Sequence, residues 1–384
     1  MTGPRHRHHL VMIGALCLSA ALAACSGDDG AGENAADGVQ TVDAAAAAAS
    51  RAELTAGNTN DDDTNDDDTA GEPSADAESA GGSGSSIPST TAAPTTASTA
   101  STAPVITEEI SPPDPGVRAL LSPTGVLVQV TGQTPSGFVV ETPCGVQTLV
   151  EAGQTIGGVD VVLDPGHGGD EQGAEDVPEL TEASLNLLLA RATAAELRAR
   201  SISVVLTRNA DYRIPIRARA ELADRIAPRA FVSIHHNTPA SRPSPEPGTE
   251  VFVQSASPES KRLGGLLYEE VFNALRQFDV QWTSRDDAGV LVVLNDEDED
   301  AYGIARYPLS TSALVEMAYL GNEFEAALLA TDDYLDVGAK ALADGIERFL
   351  NTEDPGTGFV DTPRRFNPSG ATGGSTGCVD PPLD

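Results

Sequence analysis

Histidine is scarce in this chain and unevenly placed. Of six histidines in 384 residues, His6, His8 and His9 fall in the first ten, and the others are His167, His235 and His236. His167 closes the run VDVVLDPGHGG (159–169), and the adjacent pair closes AFVSIHHN (230–237). Each run reads as a buried, β-branched strand that breaks into polar residues at its carboxyl end. Imidazole is the commonest metal ligand, and open α/β sheets place their sites along the edge where parallel strands end. Two strand ends carrying histidine therefore predict a metal site, with His167 as its first ligand. Gly166, Gly168 and Gly169 would let the backbone around it adopt strained turns close to a ligand.

A catalytic zinc usually has three protein ligands and one open position. Glu182, at the start of the helical pattern after the His167 loop, is a candidate carboxylate. Acidic residues also favour a first helical turn for dipole reasons alone. Asp170, Glu171, Glu175 and Glu179 are rivals on the same loop, and spacing does not choose among them. Glu316 lies inside the apolar run ALVEMAYL (313–320), where a carboxylate costs several kcal/mol unless paired or functional. It is either half of a buried ion pair, with Arg208 or Arg219, or a general base beside metal-held water. No HExxH helix is present, which disfavours the common zinc peptidase arrangement.

The elements that must position these groups follow from periodicity. Strand-like runs at 159–164, 203–208, 230–234, 249–254, 289–294 and 312–320 alternate with helical patterns near 182–200, 214–226, 259–278 and 333–350. Leu185, Leu188, Leu189 and Ala192 follow the i, i+3, i+4, i+7 spacing of one buried helical face. The alternation predicts a single α/β domain over 158–350, a mostly parallel mixed sheet with helices on both faces. A small β element precedes it at 116–157, where GVLVQV and GFVVET flank a turn-rich link. Residues 351–384, rich in Pro and Gly, read as an extended tail.

The formal charge is −35, with acidic runs at 61–68 and 296–300. That balance argues against nucleic acid and against docking on anionic lipid, which need clustered Lys and Arg. Arg5 and Arg7 precede a short apolar segment (10–21) that fits a secretory signal over 1–24, too short to span a bilayer. Residues 25–115 are mostly Ala, Gly, Ser, Thr, Pro and Asp and cannot bury enough surface to fold. As a flexible linker of about 90 residues they span roughly 50–55 Å. The segment LAAC (22–25) resembles the lipobox of bacterial lipoproteins, which would make Cys25 a lipidated N-terminus and tie the protein to a membrane. Removing the signal leaves Cys144 and Cys378, which an oxidising exterior would pair.

Taken together, DPGHGG with Gly173 and Ala174, TEASLN with Glu182 and Asn186, TR with Asp211, Arg219, SIHHN and VEMAYLGN resemble the zinc-dependent N-acetylmuramoyl-L-alanine amidases of bacterial cell walls. The resemblance covers about 159–350. It implies one Zn2+ held by His167, Glu182 and His235, with Glu316 as the catalytic glutamate and peptidoglycan as the substrate. His236, Asn237, Asn186 and Arg219 would then support the ligands or face the substrate. Departures are Ala183 where the family usually has Lys, Asp224 where Asn is common, and the acidic insertion DEDED. They touch no ligand; they bear on substrate contacts and on regulation.

Overall fold

The computed structural model describes residues 106–384, apart from 176, 178–179, 239–241, 369–373 and 375–376. The signal-like segment, Cys25, most of the linker and Glu179 lie outside the described residues.

The first elements are β1 (Ala119–Leu121), β2 (Leu127–Thr134), β3 (Gly137–Glu141), β4 (Gln147–Val150) and β5 (Gln154–Ile156). They form an antiparallel sheet ordered β4-β3-β2-β1-β5. Leu120, Val128, Val130, Val140 and Val150 make its core, which Leu383 from the far end of the chain completes.

The larger part runs β6 (Val161–Pro165), α1 (Glu182–Ala199), β7 (Val204–Leu206), α2 (Ile216–Ile226), β8 (Ala230–Asn237), β9 (Arg242–Ser244), β10 (Glu250–Val253) and α3 (Pro258–Leu275). It continues through β11 (Trp282–Ser284), β12 (Val290–Leu291), β13 (Val293–Leu294), α4 (Gly303–Arg306), β14 (Ser312–Tyr319), α5 (Glu323–Leu329), α6 (Asp332–Asn351) and β15 (Arg364–Arg365). Its sheet is ordered β12-β10-β14-β8-β6-β7. Strands β7, β6, β8 and β14 are mutually parallel; β10 runs antiparallel to β14 and carries β12 parallel beside it.

Helices α1, α3 and α6 cover one face, burying Leu189, Leu197, Leu267, Leu342 and Ile346 against Val315 and its neighbours. On the other face Leu222 and Ile226 of α2 and Ile304 of α4 pack with Phe231 and Phe252. Ala119 and Leu127 of the small sheet join that second layer, so the β element is part of the body. The fold is the expected mixed α/β sheet with helices on both faces. Among the described residues no helix is long and apolar enough to cross a membrane.

Two expectations change. The run 289–294, read as one strand, divides between β12, on the edge of the main sheet, and β13, which pairs with β15. Residues 351–384, read as an extended tail, form in their described parts a strap held along the body. Arg364 N donates to Val292 O (2.9 Å), Arg213 Nη2 to Gly374 O (2.8 Å), and Thr124 Oγ1 to Pro382 O (2.6 Å). Cys378 is joined to Cys144 with their Cα atoms 5.6 Å apart, and Asp380 accepts from Thr142 Oγ1 and Cys144 N, both at 2.8 Å. Composition suggested a tail because few apolar residues lie there. Polar ties, the β13–β15 pairing, a few apolar contacts such as those of Leu383 and Phe366, and one crosslink hold it instead.

Candidate active site

Strand β6 ends at Pro165, and the next residues turn over the end of the sheet. A Cβ on Gly166 would overlap the imidazole of His235 on the neighbouring strand, so glycine here permits the close approach of loop and ligand. His167 then takes φ +61°, a left-handed conformation that costs a non-glycine residue about 1–2 kcal/mol. What offsets that cost is Arg219, buried at the start of α2. Its guanidinium donates to His167 O (2.7 Å), Pro165 O (2.8 Å) and Ile214 O (2.8 Å), and pairs with Asp164 (2.7 Å). Asp164 also accepts from Thr207 Oγ1 (2.6 Å) and Ser233 Oγ (2.7 Å). Arg208 clamps the same turn from below, donating to Pro165 O (3.0 Å), Gly166 O (2.8 Å) and Ala183 O (2.7 Å).

The loop returns through Gly173 (φ +72°), where a Cβ would collide with the Glu182 carboxylate and the His167 ring. Thr181 caps α1, accepting from Ser184 N at 3.2 Å, and so places Glu182 in the first turn, 5% exposed. Glu182 Oε2 lies 3.2 Å from His167 Nε2, and Oε1 lies 2.9 Å from His235 Nδ1. Ala174 N (3.0 Å) and His236 N (3.2 Å) also donate to this carboxylate. Burial alone would raise its pKa, but the hydrogen bonds from His167 and His235 hold it well below the carboxylate range.

His167, Glu182 and His235 thus bring donor atoms from three elements within 4.8 Å of one another, an arrangement that suits a metal ion. Two imidazoles and one ionised carboxylate form a donor set that zinc accepts. The rivals stand elsewhere. Asp170 pairs with Arg213 (3.0 Å), Glu171 approaches the other nitrogen of His167 at 3.8 Å, and Glu175 is exposed.

His236 points away from its neighbour into the core. Asn186 Nδ2 donates to Gly166 O (3.3 Å), which leaves Asn186 Oδ1 to accept from His236 Nδ1 (2.7 Å). Tyr334 on α6 donates to His236 Nε2 (2.5 Å). With both nitrogens engaged and burial pushing its pKa down to about 3, His236 is a neutral pillar. It is 1% exposed, and its ring nitrogens are spent on Asn186 and Tyr334. Arg219, also buried, gives its guanidinium to the loop backbone and Asp164.

Glu316 lies on β14 in register with His235. It makes no ion pair with Arg208 or Arg219, whose guanidinia serve the loop and Asp164. Its Oε2 is buried and has no hydrogen-bond partner among the described residues. Burial first, then the nearby carboxylates of Glu182 and Glu250, push its pKa well above the ordinary range. A carboxyl that favours its proton therefore sits near a carboxylate held in its ionised form, a contrast typical of acid–base sites. Both open on a cleft of about 1210 Å³ rimmed by Pro143, Arg217, Glu297, Tyr307 and Phe366.

Sequence reasoning missed Glu250, wholly buried beside Glu316 on β10. Its signal was available, since TEVFVQ is another apolar strand containing a carboxylate. Asn237 Nδ2 donates to Glu250 Oε2 (2.8 Å), which gives Asn237 its place beside the acid. The acidic insertion is at the cleft rim: Glu297 lines it, while Asp300 turns inward to accept from Ser255 N (3.1 Å).

The fold and site together describe an α/β domain with a His-Glu-His donor cluster and a protonatable acid toward the carboxyl ends of parallel strands. Residues 161–348 match the N-acetylmuramoyl-L-alanine amidase family, and the chain belongs to that family through this domain. AmiC of Neisseria meningitidis serogroup B is 29% identical over 224 residues, covering 50% of this chain and 53% of the relative. AmiC of Escherichia coli O6:H1 is 26% identical over 221 residues, 50% and 52% of the two chains. The chain thus spans about half the length of these two relatives. Among solved structures, AmiC2 of Nostoc punctiforme is 32% identical, covering 50% of this chain and 96% of that one, with a TM-score of 0.40.

Proposed function

We propose that this protein hydrolyses the amide bond between N-acetylmuramic acid and the L-alanine of peptidoglycan stem peptides, with one zinc ion, during cell-wall remodelling. The observation that carries the reading is the convergence of His167, Glu182 and His235 next to the unpartnered carboxyl of Glu316 in one open cleft. When bound there, zinc would supply Lewis acidity to the lactyl carbonyl and lower the pKa of water. Glu316, its raised pKa lowered by the charge of the bound ion, takes as a carboxylate the proton from the attacking water as the oxygen bonds to the carbonyl carbon. It then returns that proton to the alanine nitrogen as the C–N bond breaks. Asn186, Tyr334 and His236 keep the end of β8 in place, and Arg219 holds the backbone carbonyl of His167. The products are a muramoyl carboxylate and a stem peptide with a free amine.

The test is digestion of purified peptidoglycan with mass analysis of the new ends. E316Q should lose about 10²–10⁴-fold in kcat while binding as much zinc as the parent. Undiminished release of stem peptides by that variant would refute the assigned role, and new ends at any other bond would refute the substrate.

The same proposal places the domain outside the cytoplasm, lipid-anchored through Cys25 and reaching the wall across the linker. Two or more acyl chains anchor stably, whereas one alone does not. C25A should therefore move the protein from the detergent phase to the aqueous phase on partitioning; an unchanged distribution would remove the anchor from the proposal.

A further inference from the structure

Three titratable side chains stand in one row across the main sheet. His235 on β8 is in register with Glu316 on β14, and Glu316 with Glu250 on β10. Directly opposed antiparallel residues project to the same face with Cβ atoms about 4.5–5.5 Å apart, so the carboxyls of Glu316 and Glu250 are near neighbours. Glu250 is wholly buried, and a buried carboxylate needs a countercharge. The countercharge does not come from the family domain. It is Arg364 of the strap, whose Nη2 pairs with Glu250 Oε1.

Arg364 is held as a fixed fitting. Its guanidinium is forked on Asp287, Nε to Oδ2 at 2.9 Å and Nη2 to Oδ1 at 2.7 Å, and it lies 5.9 Å from the Phe252 ring centroid. Its backbone pairs with β13, and Phe366 two residues on stacks against Tyr302 (5.5 Å), which stacks against Phe252 (4.6 Å). Phe252 is in turn two residues from Glu250 on the same strand. Strand, stack and ion pairs deliver one guanidinium to one buried carboxylate.

We infer that Arg364 is a positioning residue for the hydrolysis: by neutralising Glu250 it keeps the carboxyl of Glu316 in working position, so the strap beyond residue 348 completes the acid side of the site. The inference rests on the function proposed above. Without Arg364, Glu250 would lose its ion pair and face Glu316 with the field of Arg285 left to offset it, and Asn237, which donates to Glu250, would lose the geometry set by that pair.

The experiment uses the full-length, zinc-loaded protein and a soluble muramoyl-peptide, comparing the parent, R364M, R364K and the charge-free pair E250Q/R364M. R364M, with parental zinc content and circular dichroism, should lose about tenfold or more in activity, in kcat with KM within about twofold. R364K should recover part of the loss, and E250Q/R364M most of it, because no bare charge remains. A folded R364M with parental kcat, a loss confined to KM, or a folded E250Q/R364M as slow as R364M would each overturn the inference. Should R364M fail to fold, R364K and E250Q/R364M decide by the same kcat criterion. An inactive parent protein would instead sink the proposed function, so the two failures are distinguishable.

Discussion

The two sides of the cleft are built on different plans. On the metal side, His167, Gly173 and Glu182 come from one loop and the helix that follows it, His235 joins them from the end of β8, and the Glu182 carboxylate is held by Ala174 N and Asn186. On the acid side, Glu250, Glu316 and Arg364 come from two strands and the distal strap, and one oxygen of Glu316 has no partner. The difference matches the demands of each task. A metal ligand set must be held rigid by its surroundings, with its donor atoms converging on one point. A proton carrier must retain unspent hydrogen-bonding capacity and an environment that keeps its proton affinity high.

If the acid side depends on the strap, loosening the strap should damage one side and spare the other. The largest effect is expected from removing the crosslink with C144S/C378S. The Cys144–Cys378 loop spans 234 residues, and its loss should cost about 2–4 kcal/mol of stability, read as a lower denaturation midpoint at constant slope. Zinc stoichiometry should not change, because among the described residues the three donors form no hydrogen bond or ion pair with the strap. Loss of zinc in the folded double variant would show that the strap supports both sides.

A smaller effect, confined to the metal side, should follow from G173V. A branched side chain at φ +72° would be strained and would push against Glu182 and His167. Zinc affinity should fall about 10- to 100-fold, the usual cost of disturbing what orients a ligand, as measured by competition with a chromogenic chelator. Parental affinity in G173V would mean that the loop has more room than its contacts indicate.

The same division explains what could be read from the sequence. The metal side was legible because its parts are local: two strands that end in histidine, a glycine-rich turn, and a helix start. Even so, spacing did not separate Glu182 from Asp170, Glu171 or Glu175, and only the packed loop, which leaves those three outside the donor cluster, does so. Glu316 was visible as a charge inside an apolar strand. Its isolation from Arg208 and Arg219 was not, because both arginines are committed to backbone carbonyls that a sequence does not display. Arg364 left no trace at all. An arginine in a Pro- and Gly-rich segment looks like solvated surface until β13 and β15 pair and bring it to Glu250, more than a hundred residues away in sequence. The split of 289–294 into two strands belongs to the same case, since β13 exists only because the strap returns to pair with it.

The finest test of the comparison is a double-mutant cycle on zinc affinity between G173V and R364M. The two residues share no partner: Gly173 abuts Glu182 and His167, whereas Arg364 binds Glu250 and Asp287. Independent sites are additive to within about 0.3–0.5 kcal/mol, so the affinity lost through G173V should be the same whether or not Arg364 is present. A coupling larger than that would have to pass through the one feature common to both sides, the row from His235 through Glu316 to Glu250. The metal ligands and the acid would then be a single electrostatic unit, with the strap tuning the ion as well as the proton.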